Sequence, residues 1–300
     1  MQAGCRYAGV SLREPFAGFA PPMGRLSAFG RPGGAEMPVE IVEPLPLDAF
    51  FRPSAWPAGT GALMTTRVGG VSMAPYDSLN LKAQTADPLD QIAVAENRRR
   101  FATTLGATPV FLDQVHGTRV VRLGAAHTGP DAPTERADAS ITTVAGIACT
   151  VMVADCLPVL FATRDGRAVG AAHAGWRGLA GGVLEATVDA IRAAVPVAAA
   201  DIVAWLGASI GPAAFEVGAD VLEAFHDAES RHFAPAPAQG GVPKWTADLP
   251  ALAEARLRRL GLTDVTGCGL CTVSDASRFF SFRRDRLTGR LAAAAWIDVA

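Results

Sequence analysis

The sequence predicts a single α/β domain of the α+β type over residues 37–300, layered, with mixed, partly antiparallel sheets and flanking helices. Half of the 300 residues are apolar and the net charge is −2, so the chain has ample material for a buried core. Short apolar runs alternate with longer segments of helical periodicity. Asp165-Gly166 lies between two apolar runs and is typical of a hairpin turn, which makes at least that strand pair antiparallel. A doubly wound parallel sheet is therefore not expected.

The individual elements follow from the same patterns. Apolar runs bounded by turn residues predict strands near residues 62–66, 109–115, 118–123, 147–153, 158–163, 168–173, 202–208, 264–271 and 291–297. Helical periodicity predicts helices over about 88–105, 179–194, 218–228 and 248–260. The segment 234–243, Ala-Pro-Ala-Pro-Ala-Gln-Gly-Gly-Val-Pro, is predicted to be a loop inside the domain.

Residues 1–36 are interpreted as a disordered extension, or as the result of a start codon assigned too early, with Met37 as the true start. They are rich in Gly, Pro, Ala and Arg, show no sustained periodicity, and lack the apolar segment of a secretory signal. Because they offer no apolar face for packing, their deletion should leave the melting temperature and the activity nearly unchanged.

Composition excludes several classes of partner. A net charge near zero gives no electrostatic reason to expect nucleic acid or an anionic membrane surface. No run of 18 or more apolar residues occurs, so no transmembrane helix is predicted. The cysteines are sparse and odd in number, which favours the reducing cytoplasm over a disulfide framework. They are Cys5, Cys149, Cys156, Cys268 and Cys271. The sequence makes no prediction of oligomeric state.

Three residues form the candidate metal site, His116, Cys156 and His173, and are called the ligand set below. Each lies at the end of a short apolar run, where a strand would deliver its side chain to a shared edge. Two imidazoles and one thiolate suit Zn²⁺, and three protein ligands leave a fourth position open, as in catalytic zinc sites. Copper is also compatible with these donors. We expect the donor atoms to lie roughly within 4 Å of one another.

Residues beside the ligand set suggest further roles. Asp155 precedes Cys156 and is predicted to orient a histidine or to transfer a proton; capping of a loop is equally consistent with its position. Cys156, His173 and Asp155 are thus the catalytic candidates. Gly175 to Gly178 would lie at the N-terminus of a helix, where free amide groups favour an anion.

A series of motifs in fixed order covers residues 63–297. They include Thr66-Arg67-Val68-Gly69-Gly70-Val71-Ser72, Ser78-Leu79-Asn80-Leu81, Glu96-Asn97-Arg98-Arg99, Gln114-Val115-His116-Gly117, Ala137-Asp138-Ala139, Ala154-Asp155-Cys156-Leu157-Pro158-Val159, His173-Ala174-Gly175-Trp176-Arg177-Gly178, Ile210-Gly211-Pro212, Phe215-Glu216-Val217-Gly218, Cys271-Thr272 and Arg278-Phe279-Phe280-Ser281-Phe282-Arg283-Arg284-Asp285. With these motifs the chain resembles the laccase-domain (YfiH-like) family of purine nucleoside phosphorylases, formerly described as polyphenol oxidases.

The resemblance implies metal ligands at the positions of the ligand set and a site in a surface cleft. It also implies phosphorolysis of adenosine, inosine, guanosine and methylthioadenosine, together with deamination of adenosine. The expected partners are therefore purine nucleosides and phosphate. Arg67, in a glycine-rich turn, is the candidate for binding phosphate or nucleoside. Arg177, in the motif that follows His173, is a second candidate for substrate binding.

One segment departs from the family pattern. After Ser78-Leu79-Asn80-Leu81 most relatives carry a glycine and then a histidine, whereas this chain continues Lys82-Ala83-Gln84-Thr85-Ala86-Asp87-Pro88. Gln84 stands where a histidine is usual, so this loop is expected to alter specificity while the ligand set remains complete.

Alternative functions remain open on sequence alone. A copper-dependent polyphenol oxidase is one, although the chain has only five histidines and no His-x-His pair. A cysteine hydrolase is another, with Cys156 as nucleophile and His173 as base, and with editing of peptidoglycan precursors as a possible role. A metal-binding scaffold without turnover is the third. The single pair Cys268-x-x-Cys271 is weak support for zinc or redox chemistry.

Overall fold

The computed structural model describes residues 42–83, 87–129 and 131–299. The predictions for residues 1–36 and for Gln84 lie outside these residues. The described part of the chain contains fourteen strands and six α-helices. The strands are β1 (Phe50–Phe51), β2 (Thr60–Thr65), β3 (Thr108–Phe111), β4 (Val120–Leu123), β5 (Ala139–Thr142), β6 (Ile147–Val153), β7 (Leu157–Thr163), β8 (Val169–Ala174), β9 (Ile202–Leu206), β10 (Glu216–Val217), β11 (Phe233–Gln239), β12 (Val242–Ala247), β13 (Asp264–Gly267) and β14 (Leu291–Ile297). The helices are α1 (Pro88–Leu105), α2 (Trp176–Gly181), α3 (Val183–Ala194), α4 (Ala219–Glu223), α5 (Leu249–Arg259) and α6 (Phe282–Asp285).

The strands form three mixed or antiparallel sheets. The first has the order β1-β2-β14-β6-β3, the second β13-β9-β7-β8-β5-β4, and the third is the small sheet β10-β12-β11. Most neighbours are antiparallel, while β3 with β6, β4 with β5 and β9 with β13 are parallel. The predicted α+β class is therefore confirmed.

The two large sheets pack face to face, and helices cover their outer faces. Alternation along β14 shows this, because Ala293 packs toward the second sheet whereas Ala294 packs toward α1. Phe101 of α1 lies in the apolar layer on that outer face. On the far side of the second sheet, side chains such as Phe161 pack against α3 and α5. The buried layers thus run helix, sheet, sheet, helix.

Several predicted boundaries change for identifiable reasons. The hairpin at Asp165-Gly166 is confirmed, since it joins the antiparallel strands β7 and β8 and Gly166 has a φ of 71°. The helix predicted over 179–194 is two helices, because Gly182 takes a left-handed φ of 98° between them. The helix predicted over 218–228 is shorter, from Ala219 to Glu223.

The loop predicted over 234–243 is wrong. These residues belong to β11 and β12, an antiparallel pair that turns at Gly240 and Gly241, both with positive φ. Prolines normally disfavour strands, but β11 lies at the edge of its sheet, where a missing N–H is tolerated. The strands β1, β5 and β10 were also not predicted. Among the described residues no helix is long and apolar enough to cross a membrane.

Candidate metal centre

The structure brings the three residues of the ligand set together. Their donor atoms all lie within 4.8 Å of one another, and the Cys156 Sγ is 3.8 Å from the His116 Nε2. The two imidazole rings meet edge to face at 72°, with centroids 4.8 Å apart. The cluster is wider than the expected 4 Å.

Strand register explains how Cys156 and His173 meet. Cys156 immediately precedes β7 and His173 is the penultimate residue of β8, where it pairs with Pro158. Leu157 pairs with Ala174, so Cys156 faces Gly175 across the end of the hairpin. A Cβ on Gly175 would lie 2.9 Å from the Cys156 Sγ and 2.9 Å from the His116 Cδ2, so only glycine leaves room for both side chains.

His116 is held by the turn that follows β3. Its backbone is left-handed, with a φ of 62°. The Gln114 side chain fixes this turn to the neighbouring strand, since it accepts a hydrogen bond from the Met152 N–H (2.7 Å) and donates one to the Met152 carbonyl (2.8 Å). The Gln114 amide thereby extends the pairing of β3 with β6 beyond the last strand residue and fixes the position of the turn that carries His116.

Asp138 orients the His173 ring and holds the backbone of His116, and this residue was not predicted as part of the site. It is fully buried. Its Oδ1 accepts from the His173 Nδ1 (2.8 Å) and the His116 N–H (2.8 Å), and its Oδ2 accepts from the Val115 (3.1 Å) and Gly117 (2.6 Å) N–H groups. Since Nδ1 of His173 bonds to Asp138, its Nε2 is left for the cluster. The sequence feature that could have identified Asp138 is its position as an isolated aspartate between Ala137 and Ala139.

The electrostatics of the cluster favour a thiolate. Burial alone raises the pKa of Cys156, but the charge of His173 and the hydrogen bond from His116 outweigh burial and lower it to about 6. Burial likewise lowers the pKa of His173, but the Cys156 thiolate and Asp138 raise it to about 9. Burial raises the pKa of Asp138 and its hydrogen bond with His173 lowers it, with a net lowering. A thiolate is a metal ligand and also a nucleophile.

Asp155 braces the turn beside Cys156 and forms no hydrogen bond with a histidine in the described part of the chain. It has a φ of 97° and is buried. Its carboxylate accepts hydrogen bonds from the Thr272 hydroxyl (2.6 Å) and the Arg283 N–H (2.6 Å). The carboxylate that orients a histidine is Asp138 instead, and a part for Asp155 in proton transfer stays a prediction.

Arg67 and Arg177 lie apart from the ligand set. Arg67 donates to the Asp77 and Ala276 carbonyls and lies over the Phe280 ring, with its Cζ 4.7 Å from the ring centroid. Arg177 is exposed on α2, and its Cζ is 4.2 Å from the Trp176 ring centroid. Neither residue lines the cleft that contains the ligand set, and their role in substrate binding stays a prediction.

The ligand set lies in the wall of a cleft of about 690 Å³. Apolar side chains form much of this wall, among them Phe111, Met152 and Phe282. Three basic residues also line it, namely Lys82, Arg98 and Arg290, and they are called the basic cluster below. The cleft is large enough for a small organic substrate.

The residues fit a zinc ion. A thiolate and two imidazoles are donors that zinc prefers, and the hydrogen bond from His173 to Asp138 has the carboxylate–histidine arrangement common at zinc sites. Copper accepts the same donors, so the set alone does not choose between them. Cys268 and Cys271 are separate from the ligand set, and the Cys271 Sγ accepts a hydrogen bond from the Gly211 N–H (3.2 Å).

The family described as multi-copper polyphenol oxidoreductase laccase matches residues 61–298. The purine nucleoside phosphorylase of Pseudomonas aeruginosa is 48% identical over 257 residues, covering 84% of this chain and 100% of that protein. Purine nucleoside phosphorylase YfiH of Escherichia coli is 47% identical over 243 residues, covering 80% of this chain and 95% of that protein. A Neisseria meningitidis protein of known crystal structure is similar with a TM-score of 0.75 at 44% identity, covering 84% of this chain and 100% of that one.

Proposed function

This chain belongs to the multi-copper polyphenol oxidoreductase laccase family, and we propose that it is a purine nucleoside phosphorylase in which the ligand set holds a zinc ion. The observation that carries the proposal is the convergence of His116, Cys156 and His173 within 4.8 Å in the wall of a substrate-sized cleft. The names of relatives at 48% and 47% identity support the reaction class.

Phosphorolysis has three requirements, and residues of the cleft match them. The purine ring needs an apolar slot, which Met152 and Phe282 offer. The departing purine needs its negative charge stabilised, and zinc supplies Lewis acidity when bound. Asp138 keeps the His173 ring in one tautomer and one orientation, so that the site is preorganised before substrate enters. The third requirement is a binding site for phosphate.

Incubation with adenosine, in the presence and absence of phosphate, tests the proposal. Separation of the products by chromatography should show adenine and ribose-1-phosphate only when phosphate is present. Metal analysis of the same protein should find about one zinc per chain. A protein that carries the metal but converts no purine nucleoside would contradict the proposal and favour a metal-binding scaffold.

We further propose that the same cleft deaminates adenosine. Attack of water at purine C6 also needs a Lewis acid and an oriented base, so the ligand set suits both reactions. Inosine formed from adenosine without phosphate would support this activity. Its absence would leave phosphorolysis as the single reaction.

The ion pair in the cluster favours one alternative, a hydrolase with Cys156 as nucleophile. The pKa of Cys156 is lowered and that of His173 is raised, and Asp138 orients the imidazole as a third member. His116 separates the two mechanisms, because a dyad has no need of a second imidazole. Activity that survives His116→Ala and metal removal would favour the nucleophile.

A multi-copper oxidase is poorly supported despite the family description. The described residues hold one group of three possible metal ligands, whereas a multi-copper centre needs several such groups. Copper in this site would therefore not by itself establish oxidase activity.

A further inference from the structure

The basic cluster places three positive side chains in one cleft without matching carboxylates. Among the residues that the structure describes, Lys82, Arg98 and Arg290 form no ion pair, although many surface arginines do. The acidic residue in the cleft lining is Asp113, which makes no ion pair with them. Like charges gathered in a partly desolvated cleft repel one another, so the arrangement is favourable only with an anion between them.

Two adjacent buried residues, Asn80 and Leu81, hold together the segments that carry these three side chains. The Asn80 Oδ1 accepts hydrogen bonds from the Lys82 N–H (3.1 Å) and the Arg290 N–H (2.9 Å). The next carbonyl, that of Leu81, accepts from the Arg98 Nε (2.9 Å). Asn80 itself is fully buried. The cluster is therefore built by the fold from three distant parts of the chain.

The side chains of the cluster are also held in place while some donors remain free. The Arg98 guanidinium lies over the Phe111 ring, 3.8 Å from its centroid. The Arg290 Nη1 donates to the Thr288 and Gly289 carbonyls. Nη1 of Arg98, Nη2 of Arg290 and the Lys82 ammonium form no hydrogen bond within the described residues. These donors are available to a ligand.

Charge effects connect the cluster with the ligand set. Burial lowers the pKa of Arg98 to about 10. Burial also lowers the pKa of Arg290, whereas the charges of Cys156 and Asp155 raise it. For Lys82, burial and then the charge of Arg290 lower the pKa. The charge of Arg290 thus acts on Lys82, that of Cys156 acts on Arg290, and all three residues line the same cleft as the rest of the ligand set.

We propose that Lys82, Arg98 and Arg290 bind inorganic phosphate, the second substrate of the proposed phosphorolysis, on which this inference rests. Three cationic side chains with free donors in one cleft suit the several oxygens and the double charge of a phosphate dianion better than a single carboxylate. A phosphate oxygen then forms a bond to ribose C1′ as the bond from C1′ to purine N9 breaks. The electron pair of that bond goes to N9, which takes up the proton that phosphate loses.

Calorimetric titration with inorganic phosphate and steady-state kinetics of the intact protein test the assignment. Lys82→Gln, Arg98→Gln and Arg290→Gln should each raise the Kd and KM for phosphate roughly 10- to 100-fold, since each removes a charge-assisted hydrogen bond. The KM for nucleoside should change by less than about threefold. Lys82→Arg should restore most of the affinity because the charge is retained.

Arg192→Gln is the matched control, because Arg192 is an exposed arginine of α3 and lies outside the cleft lining. Its phosphate affinity should equal that of the wild type. Melting curves identify any variant that fails to fold, and Lys82→Gln, in a loop, is the variant least dependent on packing.

The outcomes separate this inference from the proposed function. Unchanged phosphate affinity in folded Lys82→Gln, Arg98→Gln and Arg290→Gln would overturn the assignment even if phosphorolysis is observed. A wild type that binds phosphate through these residues without phosphorolysis would support the site and refute the function. If a nucleoside 5′-monophosphate binds more tightly than inorganic phosphate through the same residues, inorganic phosphate is not the ligand of this site.

Discussion

Replacing Asp138 by asparagine tests whether one buried carboxylate holds the whole centre in place. Each carboxylate oxygen accepts two hydrogen bonds, Oδ1 from His116 and His173 and Oδ2 from Val115 and Gly117. An asparagine has one acceptor oxygen, so its amide nitrogen must face two donors in either orientation. The substitution therefore removes one acceptor oxygen with its two hydrogen bonds, and also the negative charge, with little change in volume.

The expected loss of stability follows from the hydrogen bonds of Asp138. Two lost charge-assisted hydrogen bonds reduce the free energy of unfolding by about 3–6 kcal/mol. If the amide nitrogen faces His173, the imidazole must move its proton to Nε2, which can then no longer bind metal. Loss of a carboxylate that orients a metal-binding histidine typically weakens metal affinity by about 10–100-fold. We expect Asp138→Asn to lose both stability and zinc affinity.

Asp155→Asn provides the matched control. Asp155 is also buried and also accepts two short hydrogen bonds, but from Thr272 and Arg283. Its substitution should lower the melting temperature and leave the zinc Kd within about threefold of the wild type. Zinc affinity measured with a competing chelator distinguishes the two variants. Wild-type zinc affinity in Asp138→Asn, or an equal loss in Asp155→Asn, would show that Asp138 does not hold the metal ligands in place.

Two further predictions concern packing and pH. Gly175→Ala places a Cβ 2.9 Å from the Cys156 Sγ, so it should weaken zinc binding and lower the free energy of unfolding by about 1–3 kcal/mol. Gly124→Ala is the control, because a Cβ at Gly124 meets open space. It should change neither the zinc affinity nor the melting temperature. Glu229→Gln breaks a buried pair with Arg256 and should lower the melting temperature at pH 7 by roughly 6–12 °C. Burial raises the pKa of Glu229, but Arg256 lowers it to about 2, below the ordinary value of 4.5. The stabilisation is therefore present above about pH 4.5 and is lost as pH falls toward 2, so the difference between variant and wild type should narrow over that range; a constant difference would contradict the assignment.

Sequence patterns predicted the strands in which nearly every residue is buried. The apolar runs at 147–153 and 291–297 coincide with β6 and β14, the neighbouring strands in the middle of the first sheet. Such strands are buried on both faces and leave a strong apolar signal. The edge strand β11 was missed because Pro235 and Pro237 are tolerated only by virtue of its position at the edge, which local sequence does not reveal.

The convergence of His116, Cys156 and His173 was predictable because their residue types are rare and chemically distinct. Asp138 was not, since its role depends on contacts with residues 22 and 35 positions away along the chain, and an aspartate is also common in turns. The adjacent Asp155 was the natural sequence-based candidate, but its left-handed backbone turns the carboxylate toward Thr272. No spacing of residues in the sequence predicts the basic cluster, because the Arg290 N–H donates to an Asn80 side chain that lies 210 positions away along the chain.

The rate of phosphate-dependent purine release by His116→Ala, compared with Cys156→Ala and with chelator-treated wild type, decides whether the ligand set holds a metal that the reaction needs. If the ligand set holds a metal that the reaction needs, losing His116 should reduce the rate roughly 100-fold or more, nearly as much as losing Cys156. The chelator should have the same effect, and added zinc should restore only the wild type. A His116→Ala protein that stays fully active after metal removal would contradict the metal centre and favour the Cys156–His173 dyad.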